Sequence, residues 1–466
     1  MQPHAIAFDA DLLRRHDRPG PRYTSYPTAP QFRTSFGEPE LREVAAASNG
    51  DPIPRRLSLY VHVPFCASPC FYCGCNRIIT RDSTRGEAYL ERLYREIALA
   101  APLFDRDREV IQLHFGGGTP NFLSPLQLRE VVDTLRSHFR FSDNAERDIS
   151  IELDPRFVSP EDIAALAATG FNRASFGVQD FDPEVQVAVN RVQSVQETRA
   201  VVEACRGNGF LSVNIDLIYG LPEQTREGFA RTLDIVAEMR PDRVAVYGYA
   251  HLPELFKPQK QIVAADLPDA ETRLALLQLA IERLTAEGYA YIGMDHFALP
   301  DDALALAQAR GGLHRNFMGY TTHADSDLVG LGVSAISHIG DSFSQNPRDL
   351  PSWQAALDEG RLPVFRGMRL GADDQLRADL IQQLMCQGEI PVTALEQRYG
   401  IHFSEYFADS LAKLEPLLAD GLVQVESDRI TATSRGRLLL RNVAMCFDRY
   451  LDQPIADATP RFSRAI

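Results

Sequence analysis

Lysine is nearly missing from this chain of 466 residues, occurring only at Lys257, Lys260 and Lys413. Arginine carries the remaining positive charge, and codon bias in a GC-rich genome accounts for that more simply than function does. Positive charge is also in deficit overall: 48 basic against 63 acidic residues leave a net charge of −15, spread along the chain rather than gathered in a tail. That balance argues against a nucleic acid as the main ligand, because phosphate binding needs a basic surface. No apolar run reaches the ~18 residues that a membrane helix needs. The opening stretch "MQPHAIAFDADLLRRHD" lacks the apolar core of a signal peptide. The expectation is a cytoplasmic protein with no membrane partner, of two or three domains. Low-complexity tracts and internal repeats beyond β-α units are absent too.

Cysteine is the informative residue. In a reducing compartment its seven copies are not expected to form structural disulfides. Cys205, Cys386 and Cys446 sit singly in apolar helical patterns and read as core packing. The other four, Cys66, Cys70, Cys73 and Cys75, crowd into "LYVHVPFCASPCFYCGCNR". A zinc knuckle would want C-x2-C pairs answered by a second pair of ligands, and none follows at a suitable distance. Short-spaced thiolates can instead wrap an iron–sulfur cube. The order C-x3-C-x2-C after a strand-like "LSLYVHV" resembles the radical S-adenosylmethionine superfamily. In that superfamily three thiolates leave one iron open to chelation by S-adenosylmethionine. Cys66, Cys70 and Cys73 are then the metal ligands. Cys75 is either a fourth ligand or, in the preferred reading, a catalytic residue near the substrate or a second cofactor.

Apolar β-rich segments alternate with helical patterns through the middle of the chain. Strands are expected at 57–63, 110–115, 148–153, 173–178, 212–218 and 243–249. Six β-α units imply an α/β fold, a parallel sheet curled into a partial (β/α)6 barrel with its chemistry at the C-terminal strand ends. Each strand end there carries a polar group or glycine: the cysteine loop, "GGGTP", Glu152 with Asp154, Gln179, Asp216, and Tyr247 with Tyr249. Taken singly each could be a cap or a loop contact; together they describe one rim.

The expected division is an N-terminal segment (1–55), the barrel (56–300), a connecting, substrate-side region (301–370) and a helical C-terminal domain (371–466). "GPRYTSYPTAPQF" reads as too irregular for a core element. The C-terminal part reads as helices followed by a hairpin, "LVQVESDRITATSRG", which is winged-helix-like. Acidic residues outnumber basic ones there, so a lid or docking role is preferred to DNA binding.

Beyond the cysteines, "GPRYTSYPTA", "LHFGGGTP", "SIELDP", "GFNRASFGVQDF", "NIDLIYGLP", "YAHLP", "GMDHFA", "LHRNFMGYTT" and "GVSAIS" resemble the oxygen-independent coproporphyrinogen III dehydrogenases (oxidases) of haem synthesis. The matches run from about residue 20 to the terminal "RFSRAI". The resemblance implies oxidative decarboxylation of the ring A and B propionates of coproporphyrinogen III to vinyls, giving protoporphyrinogen IX. It also implies one 4Fe–4S cluster and two S-adenosylmethionine molecules. Tyr60, Gly117, Glu152 and Ile336 fall where the family contacts the cluster-bound S-adenosylmethionine. Tyr72, Gly118, Thr119, Gln179, Arg191, Asp216 and Ala250 fall where it contacts the second molecule. Two departures are slight: Phe115 stands where relatives carry tryptophan, and Tyr72 where phenylalanine is usual.

A substrate with four carboxylates calls for arginines, and Arg22 and Arg315 are the candidates, with surface salt bridging as the alternative. Reduced flavodoxin or ferredoxin is the expected electron donor, and a monomer the expected state. Haem-chaperone-like relatives, the main rival, generally lack "PRYTSYPTA" and the C-G-C of Cys75, both of which are present here. A radical methyltransferase or cyclopropanase takes most of the remaining weight, and a non-enzymatic zinc module comes last.

Overall fold

The computed structural model describes residues 6–145 and 147–452; the "RFSRAI" match lies outside the described residues. By their contacts the residues fall into two compact units: Phe32–Arg273 with Asp325–Arg369, and Met1–Gln31 with Leu274–Ala324 and Leu370–Ile466. This interleaved division differs from the consecutive one expected from sequence patterning.

The first unit is the barrel. Its six expected strands are present as β1 (Arg56–Val63), β2 (Glu109–Gly117), β3 (Asp148–Leu153), β4 (Arg173–Gln179), β5 (Ser212–Tyr219) and β6 (Arg243–Gly248). They pair in parallel in the order β6-β5-β4-β3-β2-β1. Parallel neighbours need crossovers, and these are helices, three of which begin on serine caps. Ser124, Ser159 and Ser194 each accept from the backbone N–H three residues on, with Gln127, Asp162 and Glu197 completing capping boxes. Pro125 and Pro160 occupy first helical positions, where the missing N–H costs nothing.

A seventh parallel strand was not expected. Residues Ser326–Leu331 form β7, paired to the outer edge of β1. Antiparallel strands β8 (Ile336–Ile339), β9 (Ser342–Gln345) and β10 (Arg366–Arg369) continue the sheet. Residues 325–369 therefore belong to the barrel's own sheet rather than to a connecting region. Their polarity hid this: β7 buries Asp327, whose carboxylate is met by the Arg108 guanidinium at 2.7 Å.

The second unit is mainly helical. Ala372–Gln387, Val392–Tyr399 and Ala408–Ala419 are helices, and Val423–Val425 pairs antiparallel with Ile430–Ala432, the expected hairpin. Here the "PRYTSYP" segment corrects its expectation. Its backbone is irregular, yet Tyr23 and Tyr26 lie in a core with Leu380, Leu384, Val443 and Phe447. The Tyr23 hydroxyl donates to Asp448 at 3.0 Å, which satisfies the polar tip that burial would otherwise leave unpaired. Arg22 of this unit is paired with Asp295, and buried Arg315 donates to the Arg22 carbonyl and lies 5.3 Å above the Tyr320 ring. Among the described residues no helix is long and apolar enough to cross a membrane.

Candidate functional site

The barrel strands alternate, and register does the rest. In β4, Ala174, Phe176 and Val178 are buried while Ser175, Gly177 and Gln179 point the other way. The same period of two leaves Glu152 in β3 and Asp216 in β5 partly exposed between buried apolar neighbours. Pairing sets Tyr60 opposite His114, His114 opposite Ser150, and Glu152 opposite Ser175. A polar band thus crosses five strands on one face.

The band is wired. Tyr60 and His114 stack with ring centroids 5.9 Å apart. His114 bonds Ser150 through Nδ1 at 2.7 Å and Glu152 through Nε2 at 3.4 Å. Gly117 donates its N–H to the other Glu152 oxygen at 3.3 Å. Desolvation opposes ionisation of Glu152, but His114 and the Gly117 N–H outweigh it and hold the carboxyl below the usual range. Asp216 goes the opposite way. Burial, then the charge of Glu152, push it up to about 6, although Asn214 and Ser175 donate to it at 2.8 and 3.1 Å. Two carboxylates of one rim therefore differ in charge under mildly acidic conditions.

The glycine turn after β2 is a cradle. Gly117 has φ +115°, and a Cβ there would stand 2.7 Å from the His62 ring. A Cβ on Gly118 would meet the Phe65 carbonyl at 2.8 Å. Gly118 and Thr119 instead donate their N–H groups to Val63 and Phe65, stitching the turn to the start of the cysteine loop. At Gly117 and Gly118 only a residue without a side chain allows that approach.

All four cysteines lie in that loop. Cys66 and Cys70 are buried, Cys73 is half-buried and Cys75 is exposed. Thr119 donates its hydroxyl to the Cys66 sulfur at 3.2 Å. Burial pushes the Cys66 thiol up to about 11. The Arg191 guanidinium donates to the Cys70 sulfur at 3.3 Å, and the Cys75 N–H to the Cys73 sulfur at 3.4 Å. The Cys75 thiol lowers the Cys73 thiol's proton affinity, with Arg77 helping, and its own is raised in return.

The residues present suit an iron–sulfur cube. Three soft donors each have a hydrogen-bond partner that favours the thiolate. Among the described residues no group of three His, Cys, Asp or Glu side chains is placed to hold a single metal ion. A cube takes one thiolate per corner.

Other expected residues are placed as follows. Arg191 is buried, with donors spent on Cys70, Asp154 and the Gly177 carbonyl. Gln179 has φ +72° at a shift of register between β4 and β5. Tyr72, like Tyr247, packs against a cluster that includes Ile218, Leu221 and Tyr249. Ile336 opens β8, paired with Gln345.

Several contributors were missed. His62 and His114 could have been read from strand alternation alone, since each lies an even number of positions from Tyr60 or the glycine turn. Arg156 and Gln259 could not, because their contacts are made across the fold. Gln259 is buried, and its amide nitrogen donates to the carbonyls of Tyr72 at 2.9 Å and Ala250 at 3.2 Å.

Comparison with known proteins agrees with this geometry. The radical SAM superfamily model matches residues 60–236, and the HemN C-terminal domain model matches 370–439. An oxygen-independent coproporphyrinogen III oxidase of Pseudomonas aeruginosa is 52% identical over 99% of both chains. That of Escherichia coli K12 is 48% identical over the full length of both. The solved coproporphyrinogen III oxidase (HemN) of Escherichia coli, described as a radical SAM enzyme, superposes with a TM-score of 0.91 over 96% of this chain and all of that one.

Proposed function

The chain belongs to the oxygen-independent coproporphyrinogen III oxidase family of the radical SAM superfamily, and we propose how its rim divides the work of that reaction. It is an oxidoreductase that works with a 4Fe–4S cluster and S-adenosylmethionine. When bound, these supply a 5′-deoxyadenosyl radical, able to remove hydrogen from a propionate β-carbon that no amino-acid base could deprotonate in water.

The substrate in this reading is coproporphyrinogen III. Its ring A and B propionates each lose a hydrogen atom, carbon dioxide and one further electron to become vinyls, so two S-adenosylmethionines are consumed. Cys66, Cys70 and Cys73 hold the cluster and leave one iron for the cofactor. Glu152, kept ionised by His114, receives the amine or ribose hydroxyls of the cluster-bound molecule. Tyr60, Gly117 and Ile336 line the same place. Gly118 and Thr119 present the close backbone to the second molecule, Asp216 accepts from its ribose or amine, and Tyr72, Gln179, Arg191 and Ala250 complete that side. Cys75, exposed beside Cys73, faces the second cofactor or the substrate. Arg22 and Arg315 are assigned to substrate carboxylates, and the C-terminal residues 371–466 to a lid or docking role. Reduced flavodoxin or ferredoxin delivers the electron, to a cytoplasmic monomer that needs neither nucleic acid nor membrane.

One observation carries this reading: the three-cysteine loop after β1 is stitched to the glycine cradle after β2, beside the Tyr60–His114–Glu152 band. Anaerobic turnover of coproporphyrinogen III tests it. Each protoporphyrinogen IX should appear with two 5′-deoxyadenosines and two carbon dioxides. A steady ratio of one deoxyadenosine per two vinyls, or no vinyl product, would overturn it.

A further inference from the structure

Arg156 has no part in the roles assigned above, yet it reaches the cysteine loop. It follows β3 in a short 3-10 turn, Pro155–Phe157, whose cap is Asp154. The Asp154 side chain accepts from the Arg156 backbone N–H at 3.1 Å. It also takes the Arg156 fork on both oxygens, Nε at 3.0 Å on Oδ1 and Nη2 at 2.7 Å on Oδ2. Such a two-point grip fixes the plane of the guanidinium. So held, Nη2 lies 3.7 Å from the Cys70 sulfur, and Nη1 reaches the Asn190 carbonyl at 3.5 Å. The ring of Phe157 covers the guanidinium at 5.2 Å.

Arg191 approaches the same sulfur at 3.3 Å and the same Asp154 oxygen at 3.1 Å. Two guanidinium charges therefore share one carboxylate, and one positive charge is left over beside a single cysteine. Both arginines are largely removed from water, with side chains 11% and 8% exposed. Screening there is weak, and charge near a sulfur counts for more than it would on the surface. Nearby segments hold the loop against this pair: Asn190 donates to the Pro69 carbonyl at 2.6 Å, and Phe71 donates its N–H to Val189 at 3.0 Å.

We propose that Arg156, clamped by Asp154 against the Cys70 sulfur, is a positioning residue that raises the reduction potential of the cluster. The inference rests on the reading that Cys70 ligates the cluster. Reduction adds one negative charge, which spreads onto the ligand sulfurs. A donor and a net positive charge at one of those sulfurs stabilise the reduced form more than the oxidised form. The two arginines donate to the Cys70 sulfur, whereas the donor at Cys66 is neutral Thr119 and that at Cys73 is the Cys75 backbone, with the Arg77 charge near both. Cys70 is thus the ligand sulfur that has two guanidinium donors. Without that bias, a weak reductant would leave most of the clusters oxidised.

The test is an anaerobic redox titration of the cluster-loaded chain, followed by the electron paramagnetic resonance signal of the reduced cluster, with iron and sulfide counted in parallel. Arg156→Gln should hold a full cluster. Its reduced-to-oxidised ratio at a fixed poise should fall about tenfold, equivalent to a potential lower by about 59 mV for one electron. Arg156→Lys keeps the charge and loses the fork, and should fall between the two. A full cluster at the wild-type potential in Arg156→Gln overturns the proposal. So does cluster loss in both variants, or loss in Arg156→Gln beside a wild-type potential in Arg156→Lys, since Arg156 would then serve packing alone. A wild-type chain that binds no cluster is a different failure, that of the functional reading beneath.

Discussion

Gln259 donates its side-chain amide to the backbone carbonyl of Tyr72 at 2.9 Å, across 187 residues of sequence. The same nitrogen reaches the Ala250 carbonyl at 3.2 Å, and its oxygen accepts from the Leu252 N–H at 2.6 Å. One buried amide therefore ties the cysteine loop to the chain leaving β6. Tyr72 and Ala250 are both assigned to the second S-adenosylmethionine, so this tie sets the spacing of their two sides of that site. Gln259→Leu keeps the volume and strands these backbone partners, each at a cost of about 1–3 kcal/mol. The expected outcome is a melting temperature lower by several degrees and weaker S-adenosylmethionine binding by calorimetry, with cluster content retained. Unchanged binding would separate this clamp from the cofactor site.

His114 supports Glu152 rather than meeting the substrate. Its Nε2 contact at 3.4 Å, with the Gly117 N–H, is what keeps the Glu152 carboxyl below its usual range against desolvation. His114→Phe preserves a ring beside Tyr60 and removes that support. A hydrogen bond to a charged group is worth about 1.5–3 kcal/mol. Affinity for S-adenosylmethionine should fall by about tenfold or more at pH 6 and recover in part by pH 8, as the carboxyl ionises without help. A loss equal at both values would place the role of His114 in packing.

How much of this was legible in the sequence depends on the range of the interactions. The six strands of the central parallel sheet stood out because strands buried on both faces carry runs such as Val244, Ala245 and Val246. Glu152 and Asp216 were readable as strand-end polar groups, and alternation puts both on the inner face. The strand Ser326–Leu331 was not readable. It hides a buried Asp327 whose neutralising partner, Arg108, is far away in sequence. Likewise Tyr23 and Tyr26 looked like loop residues, because Leu380 and Leu384 of their core cluster come more than 350 positions later. Local pattern carries the elements; the ties between distant loops emerge only when the chain is folded.

Cys75 should separate from its three neighbours. It is exposed, and its N–H is directed at the Cys73 sulfur, a backbone contact that leaves its side chain out of the ligand set proposed above. Cys75→Ser should therefore keep the brown chromophore, the iron content and S-adenosylmethionine binding, and lose vinyl formation. Serine at Cys66, Cys70 or Cys73 should lose the chromophore and all activity. Cluster loss in Cys75→Ser would make it a fourth ligand and remove the open iron; full activity would make it a packing residue.

Glu96 gives the barrel a pH dependence that can be signed. It is buried, and its carboxylate accepts from the Gly332 N–H at 2.8 Å, Asn346 at 2.6 Å and the Trp353 indole at 3.0 Å. Burial nevertheless wins and raises the carboxyl from 4.5 to about 7, the three donors offsetting it only in part. A carboxyl whose affinity for protons is higher in the folded chain binds more protons there than when unfolded. Stability from this group is therefore greatest below about 4.5 and is lost as the pH rises towards 7. Glu96→Gln keeps the shape and cannot ionise, although its NH2 faces donors and costs about 1–3 kcal/mol at every pH. The stability difference between wild type and variant, from urea unfolding, should thus favour the wild type more at pH 5 than at any higher pH. It should shrink by on the order of 1–3 kcal/mol by pH 8. A difference that is constant across that range would show that Glu96 is ionised throughout, its three donors having outweighed its burial.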